Sequence, residues 1–180
     1  MGITDYVGDL TSVLDQSIRV IQASIDVMAE LGRLTSALRF VTLLQCVKQG
    51  VWPDDPAVAV LPGVEEPVPE TAKKLTIKEL ASLPREDHPS LAKILSISPH
   101  QTNRFNKALS ALPDVEVSLP SDSLTPESIT VVLRRKNPLT DREARAYAPR
   151  FPKSQTEGWI VIVGDKQRDQ VWGVKRVAWQ

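Results

Sequence analysis

A chain of 180 residues with 42% apolar side chains can support one or two packed cores. Its 22 basic residues balance 22 acidic ones, so bulk charge marks no nucleic-acid or membrane binder, and such a contact must come from local patches. The one cysteine, Cys46, excludes an internal disulfide and fits a reducing intracellular compartment, cytoplasmic or nuclear; no run of about 18 apolar residues and no signal pattern offers a membrane partner.

Residues 10–31, LTSVLDQSIRVIQASIDVMAEL, read as one long helix. Leu14, Ile18, Ile21, Ile25 and Met28 recur at steps of four and three and share a face. Val13, Val20, Val27 and Leu31 form a second apolar line, which predicts a helix that is surrounded. Asp15, Arg19, Gln22, Asp26 and Glu30 follow the same steps on the remaining arc. Solvation helped by Asp15–Arg19 and Gln22–Asp26 pairs accounts for that polar rail on pattern alone. Asp9, Thr11 and Ser12 offer N-cap oxygens, and Gly32 a left-handed stop.

A second helix is expected after Thr35 through Gln49, with Leu34, Leu38, Val41, Leu44 and Lys48 on one line and Phe40, Leu43 and Val47 beside it; Gly50 ends it. The two helices fold back as a hairpin whose apolar surface exceeds what they cover on each other, so further helices or another chain are expected against them. Asp55 and Pro56 predict a short helix through Leu61. The stretch PGVEEPVPETAKK from Pro62 to Lys74 reads as a stiff connector. Thr76 and Glu79 form a capping box for a helix ending at Leu83; Pro89 opens another, and Ser98-Pro99 a third with Phe105, Ala108, Leu109 and Leu112 buried. Beyond Pro113 the period becomes two: Val115, Val117 and Leu119; Ile129, Val131 and Leu133; Trp159–Val163; and Val171–Trp179, the last two joined through Gly164–Asp169.

No catalytic constellation stands out. No glycine lies in a G-x-x-x-x-G-K phosphate loop. His88 and His100 lack the short spacings of a zinc site, Cys46 falls on the packed side of its helix, and Asp54-Asp55 and Glu65-Glu66 read as capping or solvated carboxylates. Between Arg134 and Lys153 stand seven cations, namely Arg134, Arg135, Lys136, Arg142, Arg145, Arg150 and Lys153, with Tyr147 and Phe151 among them. Two readings stay open for this patch: a surface for phosphates and bases, or an anchored loop whose arginines face solvent or an acidic partner.

The wording DYVGDLTSVLDQSIRVIQASIDV, together with LPGV at 61–64, LPDVEV at 112–117, ARAYAPRFPKSQTEGWIVIVGD and VWGVKRV, resembles the C-terminal Sec-sixty-three-type unit of large superfamily-two nucleic-acid helicases. YAPRFPK is closer to the cointegrator-complex and ribosome-quality-control helicases than to the Brr-type spliceosomal ones. An endoplasmic-reticulum translocon subunit also carries the unit, but the wording of the first helix points to the helicases. The resemblance implies an α+β fold: the end of a helical bundle with a ratchet helix (1–62), a linker (63–75), a helix-loop-helix module (76–113) and a partial fibronectin-type or immunoglobulin-like β-sandwich (114–180).

It further implies a non-catalytic segment of an ATP-dependent RNA or DNA helicase. The ratchet helix would guide the translocating single strand through Arg19 and Gln22, flanked by Asp15 and Asp26, and support the motor domains. No cofactor is expected in this segment; ATP and magnesium belong to motor domains elsewhere. The other reading is a protein–protein docking platform linking a helicase to ribosome, spliceosome or partner subunits. Five acids against two bases among residues 1 to 33 argue for weak strand binding by this piece alone.

Overall fold

The computed structural model describes residues 3–120, 128–137 and 145–178. In chain order the elements are α1 (Ile3–Glu30), α2 (Leu34–Gln49), α3 (Glu70–Lys73), α4 (Ile77–Ala81), α5 (His88–Ile94), α6 (Pro99–Ala111), β1 (Val115–Ser118), β2 (Val132–Arg135), β3 (Arg145–Ala146), β4 (Gln155–Thr156), β5 (Gly158–Asp165) and β6 (Gln170–Ala178), with 3-10 turns at Ala57–Val60 and Arg85–Asp87. Helices with small antiparallel strand pairs make this an α+β architecture. Two compact units share them: Met1–Asp55 with Ala148–Gln180, and Pro56–Tyr147.

In the first unit α1 and α2 pack through Ile21, Ile25 and Leu44, with Ile18, Phe40, Val41, Val47 and Ile160 against them. The four-three spacing of α1 explains this face, since only one side of the helix can meet α2. Arg33 N–H donates to Met28 O and Gly32 N–H to Ala29 O, with Gly32 left-handed at φ 70°, so the expected stop is a Schellman turn. The start is not where the sequence put it: α1 begins at Ile3, and Asp9, Thr11 and Ser12 lie inside it. A single interior glycine, Gly8, costs about 1 kcal/mol and does not break a run that Tyr6 and Leu10 continue.

The second apolar line of α1 is uncovered in this chain. Tyr6, Leu10, Val13, Val20, Val27 and Leu31 are all exposed, Val20 at 64%. Cys46 is half-buried on α2. Lys48 is half-buried too, and desolvation pulls its pKa below the ordinary lysine value.

β5 and β6 form an antiparallel hairpin against these helices. Ile160 pairs with Arg176, and Ile160 reaches the α1–α2 core. The turn docks on the start of α2, where Leu34 N–H donates to Asp169 O at 3.3 Å and Val171 N–H to Gly32 O at 3.2 Å.

The second unit is built around Phe105, Leu109, Leu80 and Val58, each nearly or wholly inaccessible. Leu91, Leu95 and Leu112 complete its middle, and the proline-rich stretch contributes Val68 and Ala72, with α3 forming inside it. The capping box is present: Glu79 N–H donates to Thr76 Oγ1 at 3.2 Å and Thr76 N–H to Glu79 Oε2 at 2.7 Å. The bond from the Thr76 amide first, and that from the Thr76 hydroxyl to Glu79 Oε2 at 2.8 Å second, hold the Glu79 carboxyl below its ordinary value.

Two expected caps differ. Asp55 accepts from Trp52 N–H at 2.7 Å, closing a turn, and the residues after Pro56 wind as a 3-10 turn rather than an α-helix. Ser98 Oγ donates to Gln101 Oε1 at 2.8 Å and leaves the α6 amides alone. In both cases a nearer polar partner wins the short side chain.

β1 pairs with β2 in register Val115–Arg135 to Ser118–Val132. Asn137 ties this pair to the end of α6, donating to Leu112 O at 2.8 Å and accepting from Asp114 N–H at 2.9 Å. Of the strands expected for a sandwich over 114–180, the pair β1–β2 is thus part of one unit and β5–β6 part of the other.

Candidate nucleic-acid interface

The polar rail of α1 is half occupied. Asp15 forms an ion pair with Lys153, and Asp26 Oδ1 lies 2.8 Å from Arg176 Nη2. That same Nη2 donates to the Gln22 carbonyl oxygen at 3.2 Å. The intrahelical Asp15–Arg19 and Gln22–Asp26 pairs expected from spacing give way to contacts with β6 and the segment before β4. The fold brings a cation from elsewhere in the chain beside each acid. Arg19 stays exposed between the two ion pairs, and the Gln22 side chain is half-buried one turn on.

This arrangement separates two roles along one flank. Asp15 and Asp26 hold the hairpin side of the unit to the helix, and the Asp26–Arg176 contact lies about 16 Å along α1 from the Asp15–Lys153 contact at 1.5 Å per residue. Between them Arg19 offers a guanidinium to solvent, the group suited to bidentate contact with phosphate.

The cluster from Arg134 to Lys153 is divided by the fold. Arg134, Arg135, Lys136 and Arg145 belong to the second unit, Arg150 and Lys153 to the first; Arg142 lies outside the described residues. Arg135 Nε donates to Asn137 O at 3.0 Å, and Lys136 Nζ stands 3.7 Å from Glu116. Arg134 and Arg145 are exposed.

Arg150 Nη1 donates to Gly50 O at 2.7 Å, a cation on the C-terminal end of α2 where the helix dipole favours it. Its stem packs so closely on Gly50 that a Cβ there would meet Arg150 Cδ at 2.8 Å. At least three of the seven cations therefore carry structural bonds, a role that cation spacing in sequence does not reveal.

Both histidines have local partners. His88 is buried with Nε2 3.3 Å from Leu83 O, and His100 Nε2 lies 3.4 Å from Ser98 Oγ. Among the described residues no group of three or more His, Cys, Asp or Glu side chains gathers as a metal site. No described helix is long and apolar enough to cross a membrane.

Sequence reasoning passed over Arg176, the residue that grips both Asp26 and Gln22. The signal available was its place in the K-R-V strand, at a position facing the same side of the hairpin as Ile160.

Residues 2–180 match the Sec63 Brl domain. The chain is 36% identical over 185 residues to the DExH-box ATP-dependent RNA helicase DExH14 of Arabidopsis thaliana, covering 98% of this chain and 8% of that protein. It is 31% identical over 198 residues to the RQC trigger complex helicase SLH1 of Saccharomyces cerevisiae, covering 97% and 10%. To the human U5 small nuclear ribonucleoprotein 200 kDa helicase it is 30% identical over 182 residues, covering 96% and 8%. The chain thus spans about a tenth or less of the length of these curated relatives. With a family match along nearly its whole length and helicases at 30% identity or above, the chain belongs to the Sec63 Brl domain family.

Proposed function

We propose that this chain is the non-catalytic C-terminal segment of an ATP-dependent RNA or DNA helicase, and that α1 is the ratchet helix guiding a translocating single strand. The observation that carries the reading is the exposed Arg19 between two acids already neutralised by Lys153 and Arg176. Arg19 meets a phosphate, and the Gln22 side chain hydrogen-bonds one turn further on. Asp15 and Asp26 position the helix rather than touch the strand. ATP and magnesium act in motor domains of the longer protein, and the uncovered apolar line of α1 packs against such neighbours.

The test is unwinding by the full helicase carrying Arg19→Ala and Gln22→Ala. A fall in unwinding with ATP hydrolysis and thermal stability retained is the expected result. Unchanged unwinding removes the strand-guiding role.

The docking-platform reading draws support from the same apolar line, which presents Val13, Val20 and Leu31 to solvent. In it the segment joins the helicase to partner subunits of a ribonucleoprotein or cointegrator complex. Loss of those partners from a pull-down on Val20→Asp/Leu31→Asp is its expected outcome. Their retention withdraws the apolar line from that role.

A further inference from the structure

The turn between β5 and β6 and the link between α1 and α2 are clamped together by three hydrogen bonds, from the amides of Leu34 and Thr35 to Asp169 and from the Val171 amide to Gly32. That docking gathers cations from distant parts of the sequence. Arg33 and Arg39 come from the helix side, both exposed and both acting through space on the Asp169 carboxylate. Lys166 and Arg168 come from the turn and are exposed as well. Of the acids in the two segments, Asp169 accepts from Thr35, and Asp165 accepts from the amides of Gln167 and Arg168 at 2.8 and 3.1 Å. Asp165 also lies 3.7 Å from Arg168 Nε, and Glu30 is exposed at the end of α1.

A separate feature exposes an aromatic ring on the same hairpin. The β5–β6 register pairs Val163 with Gly173 and Gly164 with Val171, which leaves Trp172 as the extra residue of a bulge. Bulges re-aim side chains, and Trp172 is 59% exposed. The strand opposite is tightly packed at the bulge: a Cβ on Gly164 would collide with the Gln170 carbonyl oxygen and press on Leu34. At about 3.3 Å per residue, Trp172 lies within roughly 10 Å of Asp169 along the strand.

We infer that this end of the unit is a second single-stranded nucleic-acid contact, in which Arg33, Arg39, Lys166 and Arg168 meet phosphates and Trp172 stacks on a base. Guanidinium groups grip phosphate oxygens in pairs, and an exposed indole accepts any base on its face. The indole is what favours a nucleic acid over an acidic protein segment, which would use the cations and leave the ring idle. The inference shares with the proposed function the class of ligand but none of its residues.

The test uses the 180-residue chain with a fluorescein-labelled oligouridine, read by anisotropy at several salt concentrations and by tryptophan quenching. The Lys166→Glu/Arg168→Glu variant is expected to lose at least tenfold in affinity at low salt, with the log K against log salt slope reduced by about 0.7 for each phosphate no longer neutralised. Trp172→Ala is expected to weaken binding by roughly five-fold or more and to abolish most of the quenching. Both sites are exposed, and circular dichroism checks that the fold is kept.

Binding and quenching unchanged in both variants overturn the inference. So does an oligoglutamate peptide that binds through Lys166 and Arg168 while oligouridine does not bind. Arg19→Ala/Gln22→Ala is measured in parallel: loss there alone sinks the second contact and leaves the ratchet reading, while loss in the hairpin variants alone supports the second contact and leaves the ratchet reading to the unwinding assay.

Discussion

The Asp169 carboxylate accepts the Thr35 amide proton at 2.6 Å, so the turn of the last hairpin caps a helix whose second residue lies 134 positions earlier. Arg33 at the N-cap of α2 supplies no side-chain cap of its own. The first amides of a helix need acceptors, and an anion is favoured there by the helix dipole. Hydrogen bonding from Thr35, the hydroxyl first and the amide second, holds the Asp169 carboxyl below its ordinary 3.8, with Arg33 and Arg39 assisting against desolvation.

A depressed carboxyl stabilises the fold above its unfolded pKa, and the contribution is lost as pH falls through the depressed value. Asp169→Ala is therefore expected to lower Tm by a few degrees at pH 7. Its deficit against wild type should shrink in acid, below the ordinary 3.8. Thermal melts from pH 7 to pH 2 check this, and a deficit independent of pH would show that the carboxylate charge plays no part.

Gly164 and Gly173 stand on facing strands of one hairpin yet predict opposite outcomes. A Cβ on Gly164 would run into the Gln170 carbonyl oxygen and come 3.2 Å from the Leu34 side chain, whereas on Gly173 it meets nothing within 4 Å. Gly164→Ala is expected to cost about 1–3 kcal/mol, the usual range for forcing a group into filled space. Gly173→Ala should change stability by less than about 0.5 kcal/mol. Urea titration of the two variants decides it, and equal losses would remove the account of the bulge.

Ile25 and Val20 lie five residues apart on α1, one wholly buried and the other 64% exposed. Ile25→Ala deletes packed methyl groups and leaves a cavity, at an expected cost of about 2–5 kcal/mol. Val20→Ala should fall within about 0.5 kcal/mol in this chain. If, as proposed, α1 packs against motor domains of a longer helicase, the Val20 variant is expected to lose more there. Equal effects of Val20→Ala in both settings would mean that its apolar line stays uncovered there too.

How much of this was legible in the sequence follows from range. Ile21, Ile25, Phe105 and Leu109 announce their faces by local period, and Thr76 with Glu79 announce a cap, because each signal lies within one or two helical turns. Val13, Val20 and Val27 carry the same period and are exposed, since an apolar stripe says that burial is possible without saying by what. The Asp169 cap, the Arg150–Gly50 contact and the Asp26–Arg176 pair join residues 100 or more positions apart. No spacing rule reaches across such a gap. Arg19 was legible as a candidate from the resemblance; what holds its neighbours back was not.

Two ion pairs fix the hairpin side of the first unit to α1, and they differ in how they can be broken. Asp15–Lys153 joins side chains 30% and 56% exposed, and Asp26–Arg176 joins side chains 49% and 41% exposed. At such exposure, double-mutant cycles with Asp15→Ala/Lys153→Ala and Asp26→Ala/Arg176→Ala are each expected to return a coupling of about 0.2–1 kcal/mol, weakened by added salt. Arg176 also donates to the Gln22 carbonyl oxygen, so Arg176→Ala alone should cost more than Asp26→Ala alone. The pairs sit more than about 10 Å apart along α1, so their couplings should add. A large non-additive term would show instead that the hairpin docks on the helix as one cooperative piece, with Arg19 held by the whole of it.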